Sequence, residues 1–390
     1  MAQSAISSAP GRRLHDPQGL ADRLVSIGRG QGLAAVGIAP AEVLADTRRH
    51  LVERRDQGLH GGMQFTYRNP DRSTDPRRIV PDARSLVVGA WSYRTAEPEP
   101  ERPTCRPAGR VARYARRDEY GSLRRALVLV AEAIEAEGWR AVVVCDDNAL
   151  VDRAAAHRAG LGWFGKNTLL LLPGLGSWFV LGAVVTDAEL APSEGALDPL
   201  DHGSGCGSCS RCMTSCPTGA LATPGVLDAR RCLAWLVQAP GPFPEEHRAA
   251  LGDRIYGCDE CQQACPVNRL VDRRDPPLPA ADGSAQVDLL DLLAASDEEL
   301  LARHGRWYFA GRDPRIVRRN ALVALGNTGD GHDPATVAAL RRALAMPDPL
   351  LVEHAAWAAR RLGRADLVAD PLVSADPDLI GGVIERDHSR

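Results

Sequence analysis

Lysine is almost missing from this chain: among the 47 Lys plus Arg of its 390 residues, Lys166 is the one lysine, and arginine supplies every other cation. Aromatic residues are sparse at 5%, and the charges nearly cancel, with a formal net charge of -3. Such a balance excludes a whole-molecule field that would draw in nucleic acid, so an RNA or DNA partner would have to be held by local arginine patches. No secretion signal is legible: Arg12-Arg13 is followed by Leu14-His15-Asp16-Pro17, where an apolar stretch would be required. The longest uncharged run, Thr168 to Thr186, is broken by Pro173, Gly174 and Gly176, and is expected to form two buried strands joined by a turn rather than a membrane span. These absences lead to the expectation of a cytoplasmic protein with no membrane partner.

What is present begins with cysteine. Eight of the ten cysteines lie between Cys206 and Cys265, and in a reducing compartment such crowding points to metal ligation rather than disulfides. The run Cys206-x2-Cys209-x2-Cys212-x3-Cys216-Pro217 has the spacing by which bacterial-type ferredoxins hold a [4Fe-4S] cubane: three close thiolates serve one cluster and the fourth faces a second. A second run, Cys258-x2-Cys261-x3-Cys265-Pro266, lacks one cysteine, and Cys232 upstream is its natural replacement. By the crossover rule, cluster one takes Cys206, Cys209, Cys212 and Cys265, and cluster two takes Cys216, Cys232, Cys258 and Cys261. Structural zinc sites also use CxxC pairs, but zinc has no use for a Cys-Pro ending that recurs twice. With eight ligands in place neither cluster has an open iron, so the pair reads as a short electron wire whose chemistry happens elsewhere.

The length predicts two or three domains in an α+β chain. Residues 1–200 alternate helix and strand patterns: helices near Leu20 to Gly28, Ala41 to Arg55 and Glu119 to Glu137, and strands at Ala34 to Ile38, Ser85 to Trp91 and Ala141 to Val144, with a Pro- and Arg-rich loop from Glu97 to Arg110. Residues 201–270 form a small ferredoxin-like domain whose core is partly inorganic. A linker from Val271 to Asp288 leads to a helical region, 288–366, in which Leu325-Gly326 and Leu362-Gly363 close two similar helices, Ile316 to Leu325 and Leu351 to Leu362, as in a HEAT-like repeat pair.

Asp146 and Asp147 follow a strand and precede a helix that ends at Gly160. One reading is N-capping; the other is a general acid at a strand's carboxyl end, where ligands often bind in α/β sheets. Gly160-Leu-Gly-Trp-Phe-Gly165-Lys166-Asn167 nearly matches a phosphate loop but runs from helix to strand, the reverse of the required order, which excludes an ATP site. The lone lysine nonetheless sits between glycine and Asn167-Thr168, where backbone approaches a ligand closely. Two arginine groups, Arg106 to Arg125 around Tyr114 and Tyr120, and Arg312 to Arg319, could track a phosphate backbone. Either could equally be a solvated face.

Taken together, Cys206 to Pro217, Cys232, Cys258 to Pro266, the stretch Asp152-Arg153 through Arg158-Ala-Gly-Leu-Gly-Trp-Phe-Gly-Lys-Asn-Thr168, Gly58-Leu-His-Gly-Gly-Met63, Asp75-Pro76-Arg77 and Arg319-Asn320-Ala321 resemble the epoxyqueuosine reductase family. The resemblance implies reduction of epoxyqueuosine to queuosine at the tRNA wobble position, with base-off cobalamin between the clusters and the substrate and an external low-potential electron donor. The N-terminal α/β domain would then be the cobalamin-binding catalytic domain. The chain lacks the DxHxxG signature of histidine-ligated cobalamin: Asp330-x-His332 is followed by Asp333-Pro334-Ala335. The family's proton-donating aspartate falls on Asp146. Gly165, Lys166, Asn167 and Thr168 become candidate cobalamin contacts, and Arg318 and Arg319 candidate tRNA contacts, in a protein expected to be a monomer. The sequence departs from the family at Ala149, where a proline is usual, and at Tyr114-Ala-Arg-Arg-Asp118-Glu-Tyr120-Gly121, which lacks the histidine of YA-x-GRDYH. Other readings are a cytoplasmic cobalamin-dependent reductase of another substrate, akin to reductive dehalogenases, and a non-catalytic electron carrier.

Overall fold

A computed structural model describes residues 16–94, 106–193, 204–276 and 285–369. The N-terminal part is built on a four-stranded sheet of β1 (Ala35–Pro40), β2 (Ser85–Ser92), β3 (Ala141–Cys145) and β4 (Phe179–Thr186). Its order is β1-β2-β4-β3 and every pairing is antiparallel. The rule that places ligands at the carboxyl ends of parallel strands therefore does not apply here.

Both faces of the sheet are covered, which is why β2 and β4 read as nearly unbroken apolar runs instead of alternating. Leu86, Val88, Ala183 and Val185 pack under Ala154 to Ala156 of helix Asp152–Arg158. Val87, Val180 and Val184 pack under Leu123, Leu127 and Val130 of helix Glu119–Glu135 and under Leu24 of helix Pro17–Gly30. Gly182 is the seat for Leu127: a Cβ there would lie 2.8 Å from the leucine Cδ1. Of the two strands expected between Thr168 and Thr186, the second is long and central, and the first is the two-residue strand Leu170–Leu171, which pairs with Trp163–Phe164.

The Pro- and Arg-rich loop ends earlier than expected, because Ala108–Val111 is a strand; its residues 97–105 lie outside the described residues. That strand is the centre of a second sheet, flanked by Arg254–Tyr256 from the cysteine-rich segment and by Gln286–Asp288. Three successive portions of the chain are thus stitched by backbone hydrogen bonds. The expected linker from Val271 likewise begins as helix, since Pro266–Arg274 is helical.

The C-terminal region holds three longer helices, Pro314–Thr328, Pro334–Leu344 and Pro349–Arg361. Each starts with an Asp-Pro pair: the carboxylates of Asp313, Asp333 and Asp348 accept hydrogen bonds from the first-turn N–H groups, and proline occupies the position whose N–H has no partner to lose. Leu325-Gly326 does not end the first helix. Gly326 lies inside it, where an added Cβ would come 2.7 Å from the Trp357 ring, so glycine is needed for close helix crossing. These helices share one core with Leu233 to Tyr256 of the cysteine-rich segment. The boundary expected near residue 270 is therefore not a boundary of packing.

Candidate functional site

The eight clustered cysteines arrive on short loops and single-turn helices: Arg211–Thr214, Leu233–Leu236 and Glu260–Gln263 each fix one or two of them. None of them is in a disulfide, and Cys212 and Cys265 are buried. The helical turn Arg211–Thr214, which carries Cys212, packs on Glu260–Gln263, which carries Cys261, so the two runs meet. Burial raises the Cys212 and Cys232 thiol pKa values, with smaller contributions from the charges of Cys206, Cys265 and Cys209 on Cys212 and of Cys258 and Cys216 on Cys232. The Ala220 N–H donates to Cys216 Sγ at 3.2 Å, a contact that favours thiolate. Among the described residues no three His, Cys, Asp or Glu side chains converge on a single metal ion. A cubane, with its ligands on separate iron corners, does not require that.

A buried polar knot fastens the second cysteine run to the sheet. Gln262 Nε2 donates to the Ser177 carbonyl at 2.9 Å and to the Tyr93 hydroxyl at 3.1 Å, and Asn268 receives the Ser177 N–H at 2.7 Å and donates to the Gln262 carbonyl at 2.8 Å. Every donor in the knot has a partner, the condition under which buried polar groups add rigidity. On the same seam, Tyr256 stacks on Trp307 with ring centroids 4.8 Å apart, and Trp307 Nε1 donates to the Ala115 carbonyl at 3.1 Å.

Asp146 stands at the end of β3 with φ of 52°, a left-handed backbone uncommon for a residue with a side chain. Its residue surface is exposed, yet desolvation by the surrounding protein raises the carboxyl pKa above the ordinary value; Arg124 opposes the shift and Asp147 adds to it. Neither acid caps the following helix, contrary to the first of the two readings. The helix starts only at Asp152, with Val151 as an N-cap that offers no side-chain bond, while Asp147 Oδ1 accepts the Ala149 N–H at 2.8 Å and closes a turn in the loop.

Asp152 is a second titratable carboxyl that the sequence offered only as part of a motif. Its Oδ1 is buried without a hydrogen-bond partner, and desolvation, followed by the Asp146 charge, raises its pKa well above the ordinary value. The clue available in the sequence was a third acid within seven residues, at the start of an alanine-rich helix that had to be buried. The Tyr120 phenol lies in the field of both Asp146 and Asp152, and burial raises its pKa. Tyr120 thus ties the altered stretch Tyr114 to Gly121 electrostatically to these acids.

The Gly165–Thr168 loop touches both cysteine groups. Lys166 Nζ donates to the Gly207 carbonyl at 2.6 Å, and Asn167 Nδ2 to the Cys261 carbonyl at 3.4 Å. Thr168, with φ of 66°, receives Arg153 on its carbonyl at 2.9 Å, and an added Cβ on Gly165 would strike Asn167 Oδ1 at 2.7 Å.

The arginine patches are corrected by the structure. Arg319 is fully buried and spends its guanidinium on the carbonyls of Leu236, Ala239 and Gly241, and Arg318 is buried against Asp297 and the Ala295 carbonyl. Neither can meet a phosphate backbone. Burial holds the Arg319 pKa down to about 10, still charged at neutral pH. In the other patch Arg113 and Arg116 are buried, and Arg106 and Arg110 pair with acids.

A base-off corrinoid asks for no histidine ligand, and His332 lies on an exposed turn of the helical region, its N–H bonded to Asp330. Asp152 Oδ1 and Trp163 Nε1 are buried polar atoms with no partner, and Trp163 packs on Gly205, beside the first cysteine run. Atoms of this kind suit the amide rim of a corrinoid, so the residues present fit the group.

Comparison with known proteins agrees with this geometry. The family described as "4Fe-4S double cluster binding domain" matches residues 205–268, and "Epoxyqueuosine reductase QueG, DUF1730" matches residues 73–147. The epoxyqueuosine reductase of Xanthomonas campestris pv. campestris is 35% identical over 92% of this chain and 99% of its own. A crystal structure of an epoxyqueuosine reductase with an epoxyqueuosine-modified tRNA-Tyr stem loop superposes with a TM-score of 0.79 at 28% identity, over 90% of this chain and 93% of that one. The Bacillus subtilis epoxyqueuosine reductase, with its catalytic aspartate loop swung out of the active site, superposes with a TM-score of 0.80 at 28% identity, over 92% and 95%. This chain belongs to the epoxyqueuosine reductase family.

Proposed function

We propose that this protein reduces epoxyqueuosine to queuosine in tRNA, with Asp146 as the proton donor. The observation that supports the reading is the Gly165–Thr168 loop, which bonds to both cysteine runs through Lys166 Nζ on the Gly207 carbonyl at 2.6 Å and Asn167 Nδ2 on the Cys261 carbonyl at 3.4 Å, and to the acid-bearing segment through Arg153 on the Thr168 carbonyl at 2.9 Å. Cys206, Cys209, Cys212 and Cys265 hold one [4Fe-4S] cluster, and Cys216, Cys232, Cys258 and Cys261 the other. Clusters held by these thiolates would supply one-electron transfer from an external low-potential donor, and a bound cobalamin would supply the two-electron reducing chemistry that the epoxide requires. Removing the epoxide oxygen takes two electrons and two protons and leaves an alkene and water. Asp146 gives a proton to that oxygen, and desolvation by the surrounding protein, which raises its pKa above the ordinary value, favours that role. Asp147 holds the loop that carries it. Gly165 to Thr168 would help to hold the cobalamin, and the helical region, read as a HEAT-like pair, gives the tRNA a rigid platform beside a monomeric catalytic core.

An anaerobic single-turnover assay tests this. Reconstituted protein with cobalamin and a strong reductant is given an anticodon stem loop carrying epoxyqueuosine, and nucleosides are read by mass spectrometry. Conversion to queuosine that requires cobalamin is expected. An epoxide that survives while both clusters are reduced would reject the substrate and direct attention to Tyr114 to Gly121.

A further inference from the structure

The chain has replaced lysine by arginine everywhere except at residue 166. The structure shows what this ammonium does. Its Nζ lies 2.6 Å from the carbonyl of Gly207, the residue after Cys206, and Gly207 has φ of 52°, which turns the chain sharply beside the first cysteine group. The Lys166 carbonyl accepts the Gly225 N–H at 3.0 Å, so the residue is held from both ends. Its neighbour Asn167 makes the matching contact with the second group, through the Cys261 carbonyl, but brings no charge.

We propose that Lys166 is a positioning residue that pins the Cys206–Cys209 turn and, through its fixed positive charge, raises the reduction potential of the first cluster. A cluster gains a negative charge on reduction, and a cation held beside its ligand loop stabilises the reduced form. An ammonium is a compact point charge that fits one carbonyl at the seam, whereas a guanidinium spreads its donors over a planar fork. The inference rests on the cluster assignment above but not on the tRNA substrate.

The test is a potentiometric titration of the reconstituted full chain, followed by electron paramagnetic resonance, without cobalamin or RNA. Lys166→Gln keeps a donor for Gly207 and removes the charge; Lys166→Met removes both; Lys166→Arg keeps the charge. Gln and Met are expected to lower the reduced-to-oxidised ratio of the first cluster at fixed potential by about tenfold, a fall of about 59 mV for a one-electron couple. The second cluster should move less, and Arg should restore most of the potential. A Gln variant that holds both clusters at the wild-type potentials would overturn the proposal while leaving the reductase reading intact. A wild-type chain that cannot be loaded with two clusters would instead bring down the reading on which it rests.

Discussion

At the scale of single residues the site depends on carboxyls kept from ionising easily. Asp146→Ala is expected to keep both clusters and to lose about 10²–10⁴-fold in single-turnover rate, measured by queuosine formation. Because the donor must carry a proton, the wild-type rate should hold below the raised Asp146 pKa and fall as pH rises through it. Asp152 makes a stability prediction of definite sign. Its folded pKa lies well above the unfolded 3.8, so the folded state binds the extra proton, and stability is lost as pH rises from the unfolded value through the folded one. Asp152→Asn has no such loss. Its melting temperature should exceed that of wild type at about pH 8 and converge with it near about pH 4; a gap that does not depend on pH would mean that Asp152 is not held protonated.

At the scale of elements, the Arg319-Asn320 pair explains how the helical region is fastened. Arg319 closes the carbonyl ends near Leu236 to Gly241, and Asn320 Nδ2 donates to Val237 at 2.8 Å and Ile255 at 3.2 Å. Both sit on helix Pro314–Thr328, whose apolar residues share the core with the cysteine-rich segment. Arg319→Met leaves buried carbonyls without donors and should cost about 3 kcal/mol, read from urea denaturation. At a temperature where the variant is folded, its affinity for the tRNA stem loop should match wild type, because the side chain never reaches the surface.

Across the whole molecule, the strand Ala108–Val111 binds distant stretches of chain through hydrogen bonds, and the proposed exchange of cysteines between the two runs would add an inorganic link. Cys216 belongs to the first run by sequence and, in the proposed exchange, to the second cluster. Cys216→Ala is therefore expected to remove the second cluster's resonance signal and spare the first, with about half the iron lost. Loss of the first signal instead would mean that each run keeps its own four ligands. Clasps of this kind, together with the Ser177-Gln262-Asn268 knot, keep the wire and the acid in register.

Local spacing was enough to identify the double-cluster segment, since a cubane's ligands are set by short intervals and a Cys-Pro turn, and enough to place the sheet's strands within a few residues. The Asp-Pro pair that starts helix Pro334–Leu344 is a local signal of the same kind. Tertiary structure alone decided which arginines are on the surface: Arg319 and an exposed arginine look the same in sequence, and only the carbonyls gathered from residues 236 to 241 draw one of them inside. It also decided that Asp147 closes a loop instead of capping a helix, that Asp152 Oδ1 is buried in the field of Asp146, and that the lone lysine turns toward Gly207. Ligand identity is a property of short chain segments, whereas burial, charge environment and partner choice belong to segments brought together from a hundred residues apart.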